Sequence, residues 1–320
     1  MATRIETDRA SHLDERWQRL VETVERAMTA DGGLRHLAHF TDGIYNFGIE
    51  HAPVPAEERE GAQGEVERFR RIGRRLNQVA ETADSWLRPL DSGELIRLVF
   101  ASGRGAILHF GVRPHEYLVG LARGADQIEA ADRIEAADRQ LAQISEEVRA
   151  LLALGPKNPG GYRPLPDQLD APAKSRLKVW FEDELGRPFA ELHRRHVSHT
   201  DLHYLATYVE GRLVSEVDAF EDSGVDEFFI GSTPQSRRGR YADIVRRVTV
   251  LVRRLGFQMQ ALLDGSLTRI VLDVEQGALY YRVLPDGVVM LGVTLDQRMV
   301  WEAEQRLNKV IAEQFGGDRP

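Results

Sequence analysis

The 320-residue sequence contains no cysteine. Disulfides, thiolate zinc sites and cysteine nucleophiles are excluded with it, and nothing suggests export. Positive charge is in deficit: 42 Lys+Arg stand against 50 Asp+Glu, giving a net charge of −8 and a pI near 5.8. A protein that coats nucleic acid or an anionic membrane needs the opposite balance. No apolar run approaches the ~20 residues that span a bilayer. The opening MATRIETDRASHLDERW has no apolar signal-peptide core. These absences predict a soluble cytoplasmic protein with no nucleic-acid partner and no membrane insertion. Catalytic signatures are missing too. There is no P-loop, no GxGxxG opening a helix after a strand, no GxSxG elbow and no HExxH. The expectation is a non-enzyme without a cofactor.

What is present is a repeat. Residues 95–110 read LIRLVFASGRGAILHF and residues 267–282 read LTRIVLDVEQGALYYR. Sliding residues 69–122 onto 241–294 without a gap places Arg74-Arg75 on Arg246-Arg247, Arg97 on Arg269, Gly105-Ala106 on Gly277-Ala278 and Gly120 on Gly292. Upstream, LAHFTDG (37–43) aligns with LATYVEG (205–211) at a shift shorter by four residues. The difference falls in one connection, FEDSGVDEFFIGSTPQS (220–236), where a surface loop tolerates added length.

Each copy encodes the same order of elements. In the first, LDERWQRLVETVERAM (13–28) has apolar residues at helical spacing. Asp42-Gly43 between two apolar runs predicts a tight hairpin. A long helix over 57–87 carries the stripe Val66, Phe69, Ile72, Leu76, Val79 and Ala83. Three strands follow, and a helix beginning in the 130s ends near Leu152. The second copy reads as a helix over 174–196, a hairpin turning at Glu210-Gly211, a helix over 238–263, three strands and a final helix. The expected organisation is domain 1 at 12–154, a Pro/Gly-rich linker at 155–173, and domain 2 at 174–316. Strands such as LIRLVFA and VVMLGV lack clean alternation, which predicts burial on both faces between helices.

This element order, with the hairpin and the Gly-Ala turn after the long middle helix, resembles the roadblock / dynein light chain family, its bacterial MglB-like members above all. The resemblance spans both copies. It implies an α+β fold of two tandem roadblock-like α-β-β-α-β-β-β-α domains. Each would be a five-stranded antiparallel sheet, with the middle helix on one face and the outer two on the other. Pairing through the third strand and middle helix, within one chain or between chains, would give a homo-oligomer or an intramolecular pseudo-dimer. The implied partner is a small Ras-like GTPase, regulated by repositioning the GTPase's own residues. By the same resemblance the docking face is that of the middle helices, whose Arg70, Arg71, Arg74, Arg75, Arg246, Arg247, Arg253 and Arg254 are candidate partner-binding residues; SRRGR (236–240) adds three more. The plainer reading is a solvated flank of amphipathic helices. The alternatives in function are a tandem small-ligand sensor of the PAS or GAF kind and an assembly unit polymerising through sheet edges.

Two further stretches stand out. HRRHVSHTDLH brings His193, His196, His199 and His203 close in sequence. His193, His196 and His199 are a weak metal candidate, with Asp201 as a possible further ligand, against a plain helix end where His complements the dipole. DAFEDSGVDEFFIG offers Phe220, Phe228, Phe229 and Ile230 either as tucked-in core or as anchors for a partner. The tandem IEAADR in 124–140 is expected to extend the helix that follows.

Overall fold

The chain opens on a strand that the hydrophobic pattern did not announce. In the computed structural model, which describes residues 3–28, 32–53, 59–163 and 175–316, β1 (Thr3–Arg9) pairs antiparallel with the second strand of the hairpin. α1 (Gln18–Ala27) follows a short 3-10 turn. The hairpin β2 (Leu34–Thr41) and β3 (Ile44–Pro53) turns at Asp42-Gly43, both at positive φ (51° and 74°). Asp tolerates that region and Gly enters it freely, which is why the pair specifies a two-residue turn. α2 (Arg59–Leu87), the meander β4 (Leu95–Ala101), β5 (Gly105–Arg113) and β6 (Glu116–Arg123), and α3 (Gln127–Leu151) complete the first repeat.

The second repeat holds β7 (Lys178–Phe181), α4 (Asp183–His196), the hairpin β8 (Tyr204–Val209) and β9 (Arg212–Asp218), and α5 (Pro234–Leu263). β10 (Arg269–Val274), β11 (Gly277–Val283), β12 (Val288–Thr294) and α6 (Val300–Phe315) follow. The helix expected over 174–196 is therefore a strand and a shorter helix. Val179, Trp180 and Phe181 are strand formers, and Glu182 is extended ahead of the first turn. Of the expected linker, residues 164–173 lie outside the described residues. Among the described residues no helix is long and apolar enough to cross a membrane.

The chain divides into two compact units, Met1–Asp84 with Leu95–Pro159 and Arg254–Leu267, and Ser85–Glu94 with Gly160–Arg253 and Thr268–Pro320. Strand order in the first is β1-β3-β2-β6-β5-β4, and in the second β10-β11-β12-β8-β9-β7, with neighbours antiparallel. The architecture is mixed α+β. Among the described residues each unit has six strands where five were expected, because β1 and β7 each add one beside the second hairpin strand.

Within the first unit, consecutive residues of β6 face opposite ways, as a strand requires. Val119 lies on the side of Gly73 in α2, while a side chain at Gly120 would meet Leu141 of α3. α1 packs on α3, so these two share the face opposite α2. Within the second unit Tyr281 reaches Thr249 of α5 (2.8 Å), while the Tyr280 hydroxyl donates to the Val300 carbonyl at the start of α6 (2.6 Å).

The repeated Leu-x-Arg phrase has a structural meaning. Arg97 on β4 is buried against Asp138 of α3, and Arg269 on β10 makes a forked contact with Glu304 of α6 (2.7 and 2.8 Å). Each carboxylate sits one turn before the leucine, Leu141 or Leu307, that packs under the strand glycine Gly120 or Gly292. The Gly-Ala step is equally specific. A Cβ at Gly277 would fall 2.2 Å from the Thr294 carbonyl, and one at Gly105 would fall 2.9 Å from the Ala122 carbonyl. At Gly277 φ is also +113°, a region that L residues avoid.

Candidate functional site

The four clustered histidines go to separate surroundings. His193 is fully buried, with Nε2 3.2 Å from Thr207 Oγ1 and Nδ1 3.1 Å from Ser215 Oγ. Burial pushes it down to about 3, so it is a neutral core group. His196 points to Glu313 (2.9 Å) on α6. His199 Nδ1 lies 2.8 Å from Ser175 Oγ. His203 Nε2 donates to the His199 carbonyl, and its Nδ1 accepts from Leu295 N (3.1 Å). Burial lowers His203 to about 4. Asp201 is engaged by Arg306 and Ser198. Among the described residues no group of three or more His, Cys, Asp or Glu side chains is placed to hold a metal ion. One helical turn between His193 and His196 did not bring them onto a common ligand, since one faces the sheet and the other α6.

The arginines divide by what they touch. Arg70 is held at home: it lies 3.0 Å from Asp8 and stacks 4.6 Å from the Tyr45 ring centre. Arg246 pairs with Asp243 one turn earlier. Arg247 lies over the Trp86 ring at 5.8 Å. Arg71, Arg74, Arg75, Arg253 and Arg254 are exposed, and none of them has an ion pair among the described residues. Arg237 and Arg238 of SRRGR are buried and structural. Arg237 donates to the Phe228 carbonyl, and Arg238 grips Asp218 with two bonds of 2.7 and 2.8 Å.

Along α5 the outward residues recur every three to four positions: Arg246 and Arg247, Val250 (48% exposed), Arg253 and Arg254, then Phe257 (86% exposed). That spacing places them on one helix face. One apolar side chain between the two arginine pairs and a second beyond them suit a partner that is both acidic and apolar. In the loop after β9 the aromatic side chains turn inward while most other residues are exposed. Phe220 stacks on Tyr204 at 5.6 Å and meets Phe229 at 5.2 Å, while Ile230 is 92% exposed.

A feature that the hydrophobic pattern could not show is a cleft of about 250 Å³ in the first unit. It opens between α2 and the strands β1, β3 and β2, and its walls include Glu6, Asp8, His36, Glu50, Phe69 and Arg70. These residues are far apart in sequence and meet only through strand register, with Glu50 opposite both Glu6 and His36. A comparison of the two copies would have signalled it, since Gly48 stands where the second copy has Glu216.

No protein-family model matches this chain, and no curated protein matches it.

Proposed function

We propose that the protein is a non-enzymatic regulator or scaffold built of tandem roadblock-like domains, and that it docks a small Ras-like GTPase. The observation that carries this reading is the outward face of α5, where Arg253 and Arg254 stand exposed and, among the described residues, without an ion pair, beside Val250 and Phe257. Arg71, Arg74 and Arg75 give α2 a similar exposed character. A GTPase surface that combines acidic and apolar side chains would meet charge with charge and Phe257 with an apolar pocket. Regulation would work by positioning groups that the GTPase already owns. The domain pair of such a platform would come from one chain or from two. The element order of each repeat, two strands, a long helix and three strands between flanking helices, supports the family reading.

The test is binding of the purified full chain to nucleotide-locked small GTPases encoded in the same genome, with hydrolysis and exchange rates read alongside. Binding is expected to weaken at least tenfold in the doubly substituted Arg253→Glu, Arg254→Glu protein, with the melting temperature unchanged because both side chains are exposed. Absence of binding together with unaltered GTPase rates would sink the reading.

A second reading, a small-ligand sensor, has the first-unit cleft on its side.

A further inference from the structure

We infer that the first unit binds a small organic cation, carrying a guanidinium or primary ammonium group, in the cleft between α2 and strands β1, β3 and β2. This stands apart from GTPase docking, which uses the outward arginines.

The second repeat supplies the comparison. In the first unit Glu50 lies opposite His36 on one side and opposite Glu6 on the other. In the second unit Asp218 lies opposite Tyr204 and opposite Lys178, so Asp218 is the counterpart of Glu50 and Lys178 that of Glu6. The repeat alignment makes Val66 the counterpart of Arg238, and Phe69 that of Tyr241. In the second unit the strand carboxylate is therefore answered by Arg238 from the helix, at 2.7 and 2.8 Å, with Lys178 across the strand. The first unit has neither cation: an acid stands in one place and a valine in the other. The second unit also fills this space with rings, Tyr204 against Phe220 and Tyr241. In the first unit the cross-strand neighbours on the floor are Ala38 and Gly48, and the cleft stays open.

The charges around the cleft leave one carboxylate poorly served. Asp8 is paired with Arg70 and accepts from the Tyr45 hydroxyl at 3.0 Å. Glu65, beside the cleft, is held by Arg35 (3.0 Å), Arg123 (3.3 Å) and His36 Nε2 (3.3 Å). Among the described residues Glu6 has one ion pair, with the outward Arg4 at 3.4 Å. Glu50 Oε2 lies 3.2 Å from His36 Nδ1, yet among the described residues neither of these buried atoms makes a hydrogen bond. His36 itself is only 3% exposed. Like charges directly opposite in a sheet repel, and a buried carboxylate oxygen without a donor is costly. A cation that donates to Glu50 beside Glu6 removes both defects, in the role that Arg238 plays on Asp218. Phe69 and Val66 offer an apolar wall to a short alkyl chain. The volume lies below the roughly 300–1,000 Å³ of drug-sized sites, which limits the ligand to a few heavy atoms.

Calorimetric titration of the full chain with n-butylguanidine and n-butylamine tests this, with calcium and magnesium chloride as separate arms. One saturable organic-cation site is expected, weakened at least tenfold by Glu50→Gln. Val66→Arg installs the counterpart of Arg238 and is expected to abolish binding while keeping the wild-type circular dichroism. Glu6→Lys carries the same test should that variant fail to fold. A capped Gly-Arg-Gly peptide separates the two sources of a guanidinium: tighter binding of the peptide than of butylguanidine supports the site and assigns its ligand to a protein side chain. No saturable organic-cation binding, undiminished binding in folded Val66→Arg, or a site that takes only divalent metal would each overturn the inference.

Discussion

Arg97 and Arg269 show what the repeated phrase is for. A guanidinium held between a sheet and a helix requires a carboxylate, and each repeat supplies one from its last helix, Asp138 or Glu304. Arg282 adds a second claim on Glu304 at 3.0 Å and a bond to Asn308 at 2.7 Å. Removing one partner of such a pair strands a buried charge, so Asp138→Ala is expected to cost about 3–5 kcal/mol in denaturant melts. Glu135, one turn earlier, makes a helical pair with Arg139 in which both side chains are 46% exposed. Glu135→Ala is expected to cost below about 0.5 kcal/mol, since water screens that pair. Equal losses for the two variants would show that burial does not set the value of these pairs. The same logic sorts the arginines of the middle helices. Arg238 is fixed by Asp218, whereas Arg253 and Arg254 are left facing solvent.

At the scale of elements, α3 starts at Gln127 rather than in the 130s because Asp126 caps its first turn and Glu129 ties that turn to the residue before the cap. Asp126 Oδ1 accepts from the amides of Ile128 and Glu129, both at 2.9 Å, and Glu129 Oε2 accepts from Ala125 N at 2.7 Å. Asp126→Ala is expected to cost about 1 kcal/mol and to raise amide exchange in the first turn of α3 while leaving its buried C-terminal half protected. Uniform exchange along the helix would contradict this. The cap is visible in the sequence as D-x-x-E, and the tandem IEAADR that follows reads as the helical extension that it is. Both hairpins were legible because Asp42-Gly43 and Glu210-Gly211 can hold positive φ. The meanders were legible from their apolar runs and turns. β1 was hidden because TRIETDR alternates charge with only one large apolar side chain, Ile5, and an edge strand needs little more. β7 was hidden because its four residues run directly into a helix. The candidate sites were legible to different depths. Arginines are plain in the sequence, but their exposure depends on which acids fold back onto them. The cleft depends on cross-strand register among Glu6, Glu50 and His36, which no local pattern encodes.

At the scale of the whole molecule, acid resistance is limited by histidines that the fold holds neutral. Burial lowers His109 and His193 to about 3 and His203 to about 4, against about 6.5 for an unfolded chain. His109 sits in the first unit, bonded to Asn77 Oδ1 at 3.0 Å, and the other two sit in the second, so both units carry the liability. Well above pH 6.5 these rings are neutral in either state and contribute no pH dependence. As pH falls from 6.5 toward 4, the unfolded chain takes up three protons that the native protein refuses, so stability declines across that window. One such proton corresponds to about 1.4 kcal/mol per pH unit, and three to about 4 kcal/mol per unit near pH 5. Burial raises Glu65 and Glu116, but hydrogen bonds from His36 and His39 together with the surrounding charges, Arg35 and Arg123 at Glu65 and Arg113 at Glu116, hold both below the ordinary carboxylate range, so they lose stabilisation in the same direction at still lower pH. Against a stability of roughly 5–15 kcal/mol for a folded domain, the decline weighs more on the second unit, which holds two of the three rings, than on the first. Urea melts at pH 7, 6 and 5 are expected to show that decline. His193→Gln, which can still bond Thr207 and Ser215, is expected to flatten it by about one proton, or about 1.4 kcal/mol per pH unit at pH 5. A stability that stays level between pH 7 and 5 would mean that the three rings take up protons in the native state, and the neutral, buried assignment of all three would fall with it.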